Sequence, residues 1–363
     1  MRPGRPFLRS PLTVLALSGL LAAVACLCRP AAHNAYLDPL DAPAPLLASP
    51  GRLPLLAVAR AGSRLVAAGL NGQVLTSDDH GRHWTPARVP VSTELVSVRF
   101  PTPASGWITA HGGVVLHSDD AGASWSRRLD GRMAARLLAA HFQALVDGGH
   151  KTAQPFLEQV QLDFANGPEQ PFLDAWFDDE RSGYVCGPFG LLLVTHDGGA
   201  SWQSAMEQLD NPEFRHLFAV QRIAGVLYIA SEKGTVFRFD ADRGRFTALD
   251  TGFKGSLFGL VGGADSLIAY GLKGAAYRSR DAGRSWQRLD TGVGTSITAA
   301  TRTDDGRLLL VSQGGDVRIS ADDGTSFHSV DGVRASTFAG VAAAGRDIVL
   351  VGSGGIQTTA LRD

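Results

Sequence analysis

The chain has 363 residues, a formal net charge of −1, and 44% hydrophobic residues. This composition is typical of a soluble globular body, and its near-neutral charge offers no basic surface for a polyanion. Nucleic acid is therefore not an expected partner.

The first thirty residues differ from the rest of the chain. Arg2, Arg5 and Arg9 precede the apolar run PLTVLALSGLLAAVACLC, which is typical of a secretory signal and borders on the length of a membrane anchor. An Ala-Val-Ala triplet fits a cleavage site before Cys26, a residue that could carry a lipid. We therefore expect residues 1–30 to be a signal peptide or an N-terminal anchor, and the protein to be exported to the periplasm or cell envelope.

The next stretch, residues 31–52, is rich in proline and alanine and is expected to be a linker. Beyond it, Cys186 is the only cysteine. No disulfide framework is expected, so stacked sheets must stabilise the body.

A nine-residue stretch with an apolar start and a glycine at its sixth place recurs seven times in residues 53–363. These ladder glycines are Gly72, Gly113, Gly190, Gly234, Gly274, Gly315 and Gly355. Their spacing of roughly forty residues is the period of a four-stranded propeller blade. Short apolar runs before each glycine turn predict the innermost strands. The sequence thus predicts an all-β, seven-bladed β-propeller of four-stranded blades.

The seventh blade has only three recognisable strands before the last residue of the sequence. A strand from about Leu37 to Leu47, within the linker, could supply its outer edge. Such a strand would tie the two ends of the ring together and cover an exposed sheet edge.

A second pattern, Ser/Thr-x-Asp-x-Gly-x-x-aromatic, follows five of the ladder glycines at a constant distance. Its residues are Ser77, Asp79, Gly81 and Trp84; Ser118, Asp120, Gly122 and Trp125; Thr195, Asp197, Gly199 and Trp202; Ser279, Asp281, Gly283 and Trp286; and Ser320, Asp322, Gly324 and Phe327. The aspartate would accept backbone N–H groups in a hairpin turn, and the glycine would adopt a left-handed conformation. Because the five carboxylates would lie on five different blades, the pattern predicts structural turns and no catalytic centre.

The step from Gly113 to Gly190 is nearly doubled by an insertion at residues 131–170. The segment MAARLLAAHFQALV has apolar residues at helical spacing, and a second helix would begin near Pro155. Strand alternation places the insertion on the face opposite the box turns. It either packs onto blades two and three or docks a partner. For docking, our candidate anchors are Phe142, Phe156 and Phe164.

The second pattern resembles the Asp-box, or BNR, motif of sialidases, sortilin-type receptors and photosystem II stability/assembly factors. Together with the glycine ladder and the segment FLDAWFDDERSGYVCGPFGLLLVTHDGGASW, it is similar to the last of these families from about Leu53 onwards. This resemblance implies a non-enzymatic exported propeller that binds a membrane protein or envelope complex. It does not imply that the organism is photosynthetic. We expect a monomeric propeller without a cofactor.

A glycosidase of the sialidase type, or a carbohydrate-binding propeller, is the alternative class. A sialidase needs a tyrosine nucleophile with a glutamate partner, but the tyrosines beside the glycine ladder are predicted strand residues: Tyr184, Tyr228, Tyr270 and Tyr277. One dense carboxylate group could do acid/base work, although a solvated loop is the favoured interpretation. It comprises Asp174, Asp178, Asp179 and Glu180.

Four arginines end predicted inner strands and could surround one rim of the channel: Arg60, Arg99, Arg222 and Arg302. Because guanidinium groups suit carboxylates and phosphates, we hypothesise that this rim contacts a partner, with ordinary solvated arginines as the alternative. The histidines show no metal-site spacing, since His80 and His83 belong to one box turn. Whether a small ligand occupies the channel stays open.

Overall fold

The computed structural model describes residues 37–46, 52–263 and 265–361. The described chain forms seven antiparallel sheets, each with its strands in spatial order along the sheet. The first strand of each sheet contacts the first strands of the neighbouring sheets, which places these strands around a common channel. This arrangement confirms the predicted seven-bladed propeller. Six blades have four strands, and the seventh has three among the described residues.

The first three blades contain strands β1 to β12. Blade one comprises β1 (Leu55–Ala61), β2 (Arg64–Gly69), β3 (Val74–Ser77) and β4 (Thr85–Pro86). Blade two comprises β5 (Leu95–Arg99), β6 (Gly106–Ala110), β7 (Val114–Ser118) and β8 (Ser126–Leu129). Blade three comprises β9 (Asp174–Phe177), β10 (Gly183–Cys186), β11 (Leu192–Thr195) and β12 (Gln203–Ser204).

The last four blades contain strands β13 to β27. Blade four comprises β13 (Leu217–Ile223), β14 (Val226–Ser231), β15 (Thr235–Asp240) and β16 (Arg245–Asp250). Blade five comprises β17 (Leu257–Gly262), β18 (Leu267–Gly271), β19 (Ala276–Ser279) and β20 (Gln287–Arg288). Blade six comprises β21 (Ile297–Arg302), β22 (Leu308–Ser312), β23 (Val317–Ser320) and β24 (His328–Ser329). Blade seven comprises β25 (Phe338–Ala344), β26 (Asp347–Gly352) and β27 (Gly355–Ala360).

The insertion between blades two and three contains two helices, as predicted: α1 (Gly131–Asp147) and α2 (Gln154–Asp163). Asp130 caps the first helix, because its Oδ1 accepts the backbone N–H of Met133 at 2.9 Å. Gly148 and Gly149 follow the end of α1, and Pro155 lies in the first turn of α2.

Six of the ladder glycines lie in the turns between the second and third strands, and Gly355 is the first residue of β27. All seven have positive φ, from 65° at Gly113 to 91° at Gly315. Gly72 shows why no side chain fits there. A Cβ on this residue would lie 2.1 Å from the carbonyl oxygen of Val91, in the connection to blade two. Glycine therefore permits both the left-handed turn and the close approach of the next connection.

The ring closes without the expected strand at Leu37–Leu47. Residues 39–46 contain no strand and lie against blades one and two. Ala44 N donates to Val89 O at 3.0 Å, and Arg127 Nη1 donates to Leu40 O at 2.7 Å. Leu47 itself lies outside the described residues. That expectation was wrong for residues 39–46, because backbone and side-chain bonds hold this segment elsewhere.

Blades seven and one instead close the ring by packing their faces together. Leu55, Ala67 and Leu75 of blade one form one buried cluster with Val351 of blade seven. Leu65 forms a second cluster with three other blade-seven residues. Apolar burial between these two sheets thus holds the ends of the ring.

Among the described residues, no helix is both long and apolar enough to cross a membrane. The predicted signal or anchor segment, residues 1–30, lies outside the described residues.

Candidate binding surfaces

The Asp boxes are closed networks of local hydrogen bonds. In blade two, Ser118 Oγ donates to Asp120 Oδ1 at 2.8 Å and accepts from Gly122 N at 2.9 Å. The same carboxylate accepts from Ser124 N at 2.9 Å and from Ser124 Oγ at 2.6 Å. Trp125 Nε1 donates to Gly122 O at 3.1 Å, which ties the aromatic ring to the turn.

The other four boxes repeat these bonds between the hydroxyl residue, the aspartate and the glycine. Hydrogen bonds from Ser201 lower the pKa of Asp197 to about 2, and bonds from Ser285 lower the pKa of Asp281 to about 2. Such carboxylates are ionised and engaged within their own turns. They are poorly placed for acid/base chemistry.

Each box also packs against the preceding blade. A Cβ on Gly122 would lie 3.0 Å from Val66 of blade one, and one on Gly199 would lie 3.1 Å from Trp107 of blade two. Gly81 of the first box approaches Thr358 of blade seven in the same way. The box is therefore a contact between blades as well as a turn.

The four channel arginines are all paired with aspartates. The pairs are Arg60–Asp304, Arg99–Asp174, Arg222–Asp178 and Arg302–Asp323. All four guanidinium groups are therefore engaged within the chain, and contact of this rim with a partner stays a prediction. The sequence did not reveal the pairing, because the paired residues are between 21 and 244 positions apart.

Arg99 and Asp174 form the most buried of these pairs, inside the channel. Arg99 Nε and Nη2 bond to the two carboxylate oxygens at 3.2 and 3.0 Å, and Asp174 is only 3% exposed. The nearby Asp174 charge raises the pKa of Arg99. Asp174 Oδ2 also accepts Val220 N at 3.2 Å, so this carboxylate joins blades two, three and four.

The rest of the dense carboxylate group forms a loop. Asp179 Oδ1 accepts the backbone N–H groups of Arg181 and Ser182, both at 2.7 Å, and the second of these bonds contributes most to the lowered pKa of Asp179. Glu180 is exposed and bonds weakly to Thr102 at 3.4 Å. The group does not converge on one catalytic position.

The channel contains a feature that sequence reasoning missed. In six blades, the pairing of the first two strands shifts after the first residue of the inner strand, and the skipped residue lines a chamber of about 380 Å³. These residues are Leu56, Val96, Phe218, Phe258, Thr298 and Ala339. A β-bulge turns a side chain away from the regular alternation. Five of these six residues are apolar, while Arg99 and Asp174 also line the chamber.

The insertion contributes side chains to the core, and one proposed anchor, Phe142, is among them. Phe142 is fully buried and stacks on Phe156 with ring centroids 5.1 Å apart. Phe156 and Phe164 are half-buried and pack against the same core, which extends into blades three and four. Phe142 cannot anchor a partner from this position. The exposed large apolar side chains of the insertion are Met133 and Leu162, at 42% and 71% exposure.

The tyrosines of the sialidase alternative are strand residues with restricted surroundings. Burial raises the pKa of Tyr270 to about 12 and also raises that of Tyr184. Tyr228 is 2% exposed, and its hydroxyl donates to Ala282 O at 3.4 Å. The raised pKa values of Tyr184 and Tyr270 disfavour a phenolate nucleophile at either position.

Metal and thiol chemistry find little support in the described part of the chain. No cluster of three or more His, Cys, Asp or Glu residues there could hold a metal ion. His83 Nδ1 contacts Asp79 within the first box. Cys186 is a buried free cysteine, and burial raises the pKa of its thiol well above the usual range.

The seven sheets and the five box networks define the class of protein first: an Asp-box β-propeller whose box carboxylates serve turns. The chain belongs to the family described as Photosynthesis system II assembly factor YCF48, whose family model matches residues 150–337.

Two curated relatives are each named Photosystem II assembly lipoprotein Ycf48. The protein from Synechococcus sp. (strain CC9902) is 26% identical over 144 residues, covering 39% of this chain and 43% of the relative. The protein from Parasynechococcus marenigrum (strain WH8102) is 29% identical over 162 residues, covering 44% of this chain and 48% of the relative. The chain thus spans about half the length of the curated relatives it matches.

Solved structures resemble the fold over most of the chain. A structure of YCF48 bound to D1 peptide has a TM-score of 0.63 at 17% identity and covers 90% of this chain and 98% of its own. YCF48 from Cyanidioschyzon merolae has a TM-score of 0.59 at 15% identity, covering 88% of this chain and 98% of its own. The WD40 beta propeller domain of Doa1 has a TM-score of 0.60 at 10% identity, covering 88% of this chain and 95% of its own. Likeness at such low identities shows the fold alone.

Proposed function

We propose that this protein is a non-catalytic scaffold that binds a membrane protein in the cell envelope and assists its assembly or stability. Its membership of the YCF48 family carries the proposal. The relatives named assembly lipoproteins, and the solved YCF48 bound to D1 peptide, support a client of this kind. The fold itself is shared with propellers of unrelated function, so it does not select the client.

The absence of catalysis is part of the proposal. Asp174, the most buried member of the carboxylate group, is held by Arg99 and by Val220 N. A glycosidase would need this carboxylate free to exchange a proton with substrate. Robust glycosidase turnover that is abolished in an Asp174→Asn variant would overturn the scaffold proposal.

We propose export and attachment to the envelope through the N-terminus. The basic residues and apolar run of residues 1–30 support export, and the relatives named lipoproteins support attachment. Mass analysis of the mature N-terminus after expression in a Gram-negative host tests this. A mature protein that begins at Met1 in the cytosolic fraction would contradict it.

We propose that the outer face of the helical insertion contributes to client binding. Because its inner side is part of the core, removal of residues 131–170 would expose Phe172 and other buried residues of blade three. Surface substitutions are therefore the cleaner test. Leu162 is the most exposed large apolar side chain of the insertion and replaces Phe142 as the first position to change.

The experiment is affinity capture from detergent-solubilised envelopes, with partners identified by mass. We expect an envelope membrane protein to be enriched by the unmodified chain and reduced in a Leu162→Asp variant. Gln161→Asp, an exposed polar neighbour on α2, is the matched control. Unchanged capture by Leu162→Asp would remove the insertion from the binding surface. No enriched membrane protein with any variant would refute the scaffold function itself.

We propose two of the channel arginines as a second contact with the client, now as members of ion pairs. Arg60 and Arg222 form ion pairs that are partly exposed. An acidic client segment would have to compete with Asp304 and Asp178 for them. Arg60→Gln with Arg222→Gln should then weaken capture, whereas unchanged capture would exclude this rim.

A further inference from the structure

Among the described residues, the third strand of blade seven has an open edge, whereas a fourth strand covers the third strand of every other blade. The outermost described strand of blade seven is β27. The sequence of β27, GIQTTA, has no charge or proline, and its pairing with β26 has no register shift. Charged side chains, proline and β-bulges usually protect an edge strand from pairing, and β27 has none of them. Alternation from the turn at Ser353 and Gly354 directs the N–H groups of Ile356, Thr358 and Ala360 to the open side.

In two other blades, the box glycine shows which side chain of the preceding blade packs beside the outer edge. Gly283, in the box of blade five, approaches Leu249 in the outer strand of blade four. A Cβ on Gly283 would lie 2.5 Å from Leu249 Cδ1. In blade five, Leu289 lies 2.8 Å from the equivalent position on Gly324. In these two boxes the glycine thus meets a leucine in or directly after the outer strand of the preceding blade, whereas Gly122 and Gly199 meet Val66 and Trp107 of second strands.

The first box lacks this partner among the described residues. Its glycine, Gly81, approaches Thr358 of the third strand and Val349 of the second. A groove of about 430 Å³ lies beside this edge, and its lining includes Gly81, Trp84 and residues 356–359 of β27. Its volume is in the range of ligand sites.

The charges of the groove specify the occupant. Arg82 lines it beside the first box, and Arg334 lines it beside the connection from blade six. Both side chains are exposed. Neither guanidinium forms an ion pair with a residue that the structure describes, in contrast to the paired channel arginines. An entering strand that carries carboxylates would neutralise both.

We propose that this blade-seven edge, formed by Gly81, Arg82, Trp84, Arg334 and β27, binds an extended acidic segment of a partner protein as a fourth strand. The backbone of the segment pairs with β27, and an aliphatic side chain packs in the groove beside Gly81 and Trp84. Carboxylates of the segment meet Arg82 and Arg334. Main-chain pairing supplies affinity in such strand addition, and the side-chain contacts supply specificity. The site is separate from the insertion and does not rest on the client proposed above.

The test uses the full chain and a synthetic six-residue peptide, EFTALD, which copies β16 with a glutamate at its first position. Binding is measured by fluorescence polarisation, and the site by hydrogen–deuterium exchange of β27 amides. We expect saturable binding and slower exchange at Ile356, Thr358 and Ala360. The peptides KFTALK and EFTAGD should bind about tenfold more weakly, since each lacks one group of contacts.

Two variants locate the site independently of the peptide. Arg82→Glu with Arg334→Glu should reverse the preference between EFTALD and KFTALK without affecting the fold, since both side chains are exposed. Thr358→Pro removes an edge N–H and should abolish binding, with circular dichroism as the check on folding.

Three results would overturn the proposal. In the first, EFTALD gives no protection of β27 at millimolar concentration, or KFTALK protects it equally well. In the second, these amides are already protected in the peptide-free monomer, so the chain covers its own edge. In the third, they are protected only in a dimer isolated by size exclusion, so a second copy is the occupant.

Discussion

Phe142→Ala should destabilise the whole propeller, although the residue belongs to an insertion. The Phe142 side chain is fully buried, stacks on Phe156 at 5.1 Å, and belongs to the cluster that contains Phe172 and Leu191. Truncation of a buried phenylalanine costs about 3–5 kcal/mol. For a body of this size, that cost corresponds to a decrease in melting temperature of about 5–8 °C.

The assay is urea denaturation followed by tryptophan fluorescence, with calorimetry for the melting temperature. Leu162→Ala is the matched control, because this side chain on the same insertion is 71% exposed. Its effect should stay within about 0.5 kcal/mol. A cost below about 1 kcal/mol for Phe142→Ala would refute the inference that the insertion belongs to the core. Selective loss of partner capture without destabilisation would restore Phe142 as an anchor.

Three further predictions concern the boxes and one buried carboxyl group. Trp125→Ala should lower the free energy of unfolding in urea by about 3–5 kcal/mol, and by more than Trp286→Ala does. Trp125 is buried and hydrogen-bonded, whereas Trp286 is half-buried and its Nε1 has no partner in the described structure. Equal costs for the two variants would contradict this. The pKa of Asp281 is lowered to about 2 in the folded protein, so its carboxylate stabilises the fold above the unfolded pKa of about 4 and this stability is lost as the pH falls through about 2. Asp281→Asn should therefore make the loss of stability in acid less steep, and an unchanged acid profile by circular dichroism would refute this. Burial raises the pKa of Asp163 to about 6, so ionisation of this carboxyl group destabilises the fold as the pH rises above about 4. In urea denaturation, Asp163→Asn should stabilise the protein by about 1–2 kcal/mol at pH 7 and have little effect at pH 4. A gain of the same size at both values would show that the charge is not the cause.

The sequence by itself determined the blades and their turns. The bonds of each box join residues no more than four positions apart, so their spacing alone encodes the turn. The ladder glycines likewise mark a backbone conformation that few other residues adopt. The two helices of the insertion could be predicted because apolar spacing and the helix-ending glycines are local signals.

Only the tertiary structure decided how these local units meet. The partner of Arg99 lies 75 residues away, and that of Arg60 lies 244 residues away, so neither pairing has a sequence signal. Helical spacing identified the apolar side of α1, but the packing against blade three decided that Phe142 is buried. The segment at residues 39–46 lies under blades one and two because hydrogen bonds hold it there, and this leaves the β27 edge open among the described residues. Contacts between blades depend on how whole sheets pack around the ring, and local spacing does not encode that packing.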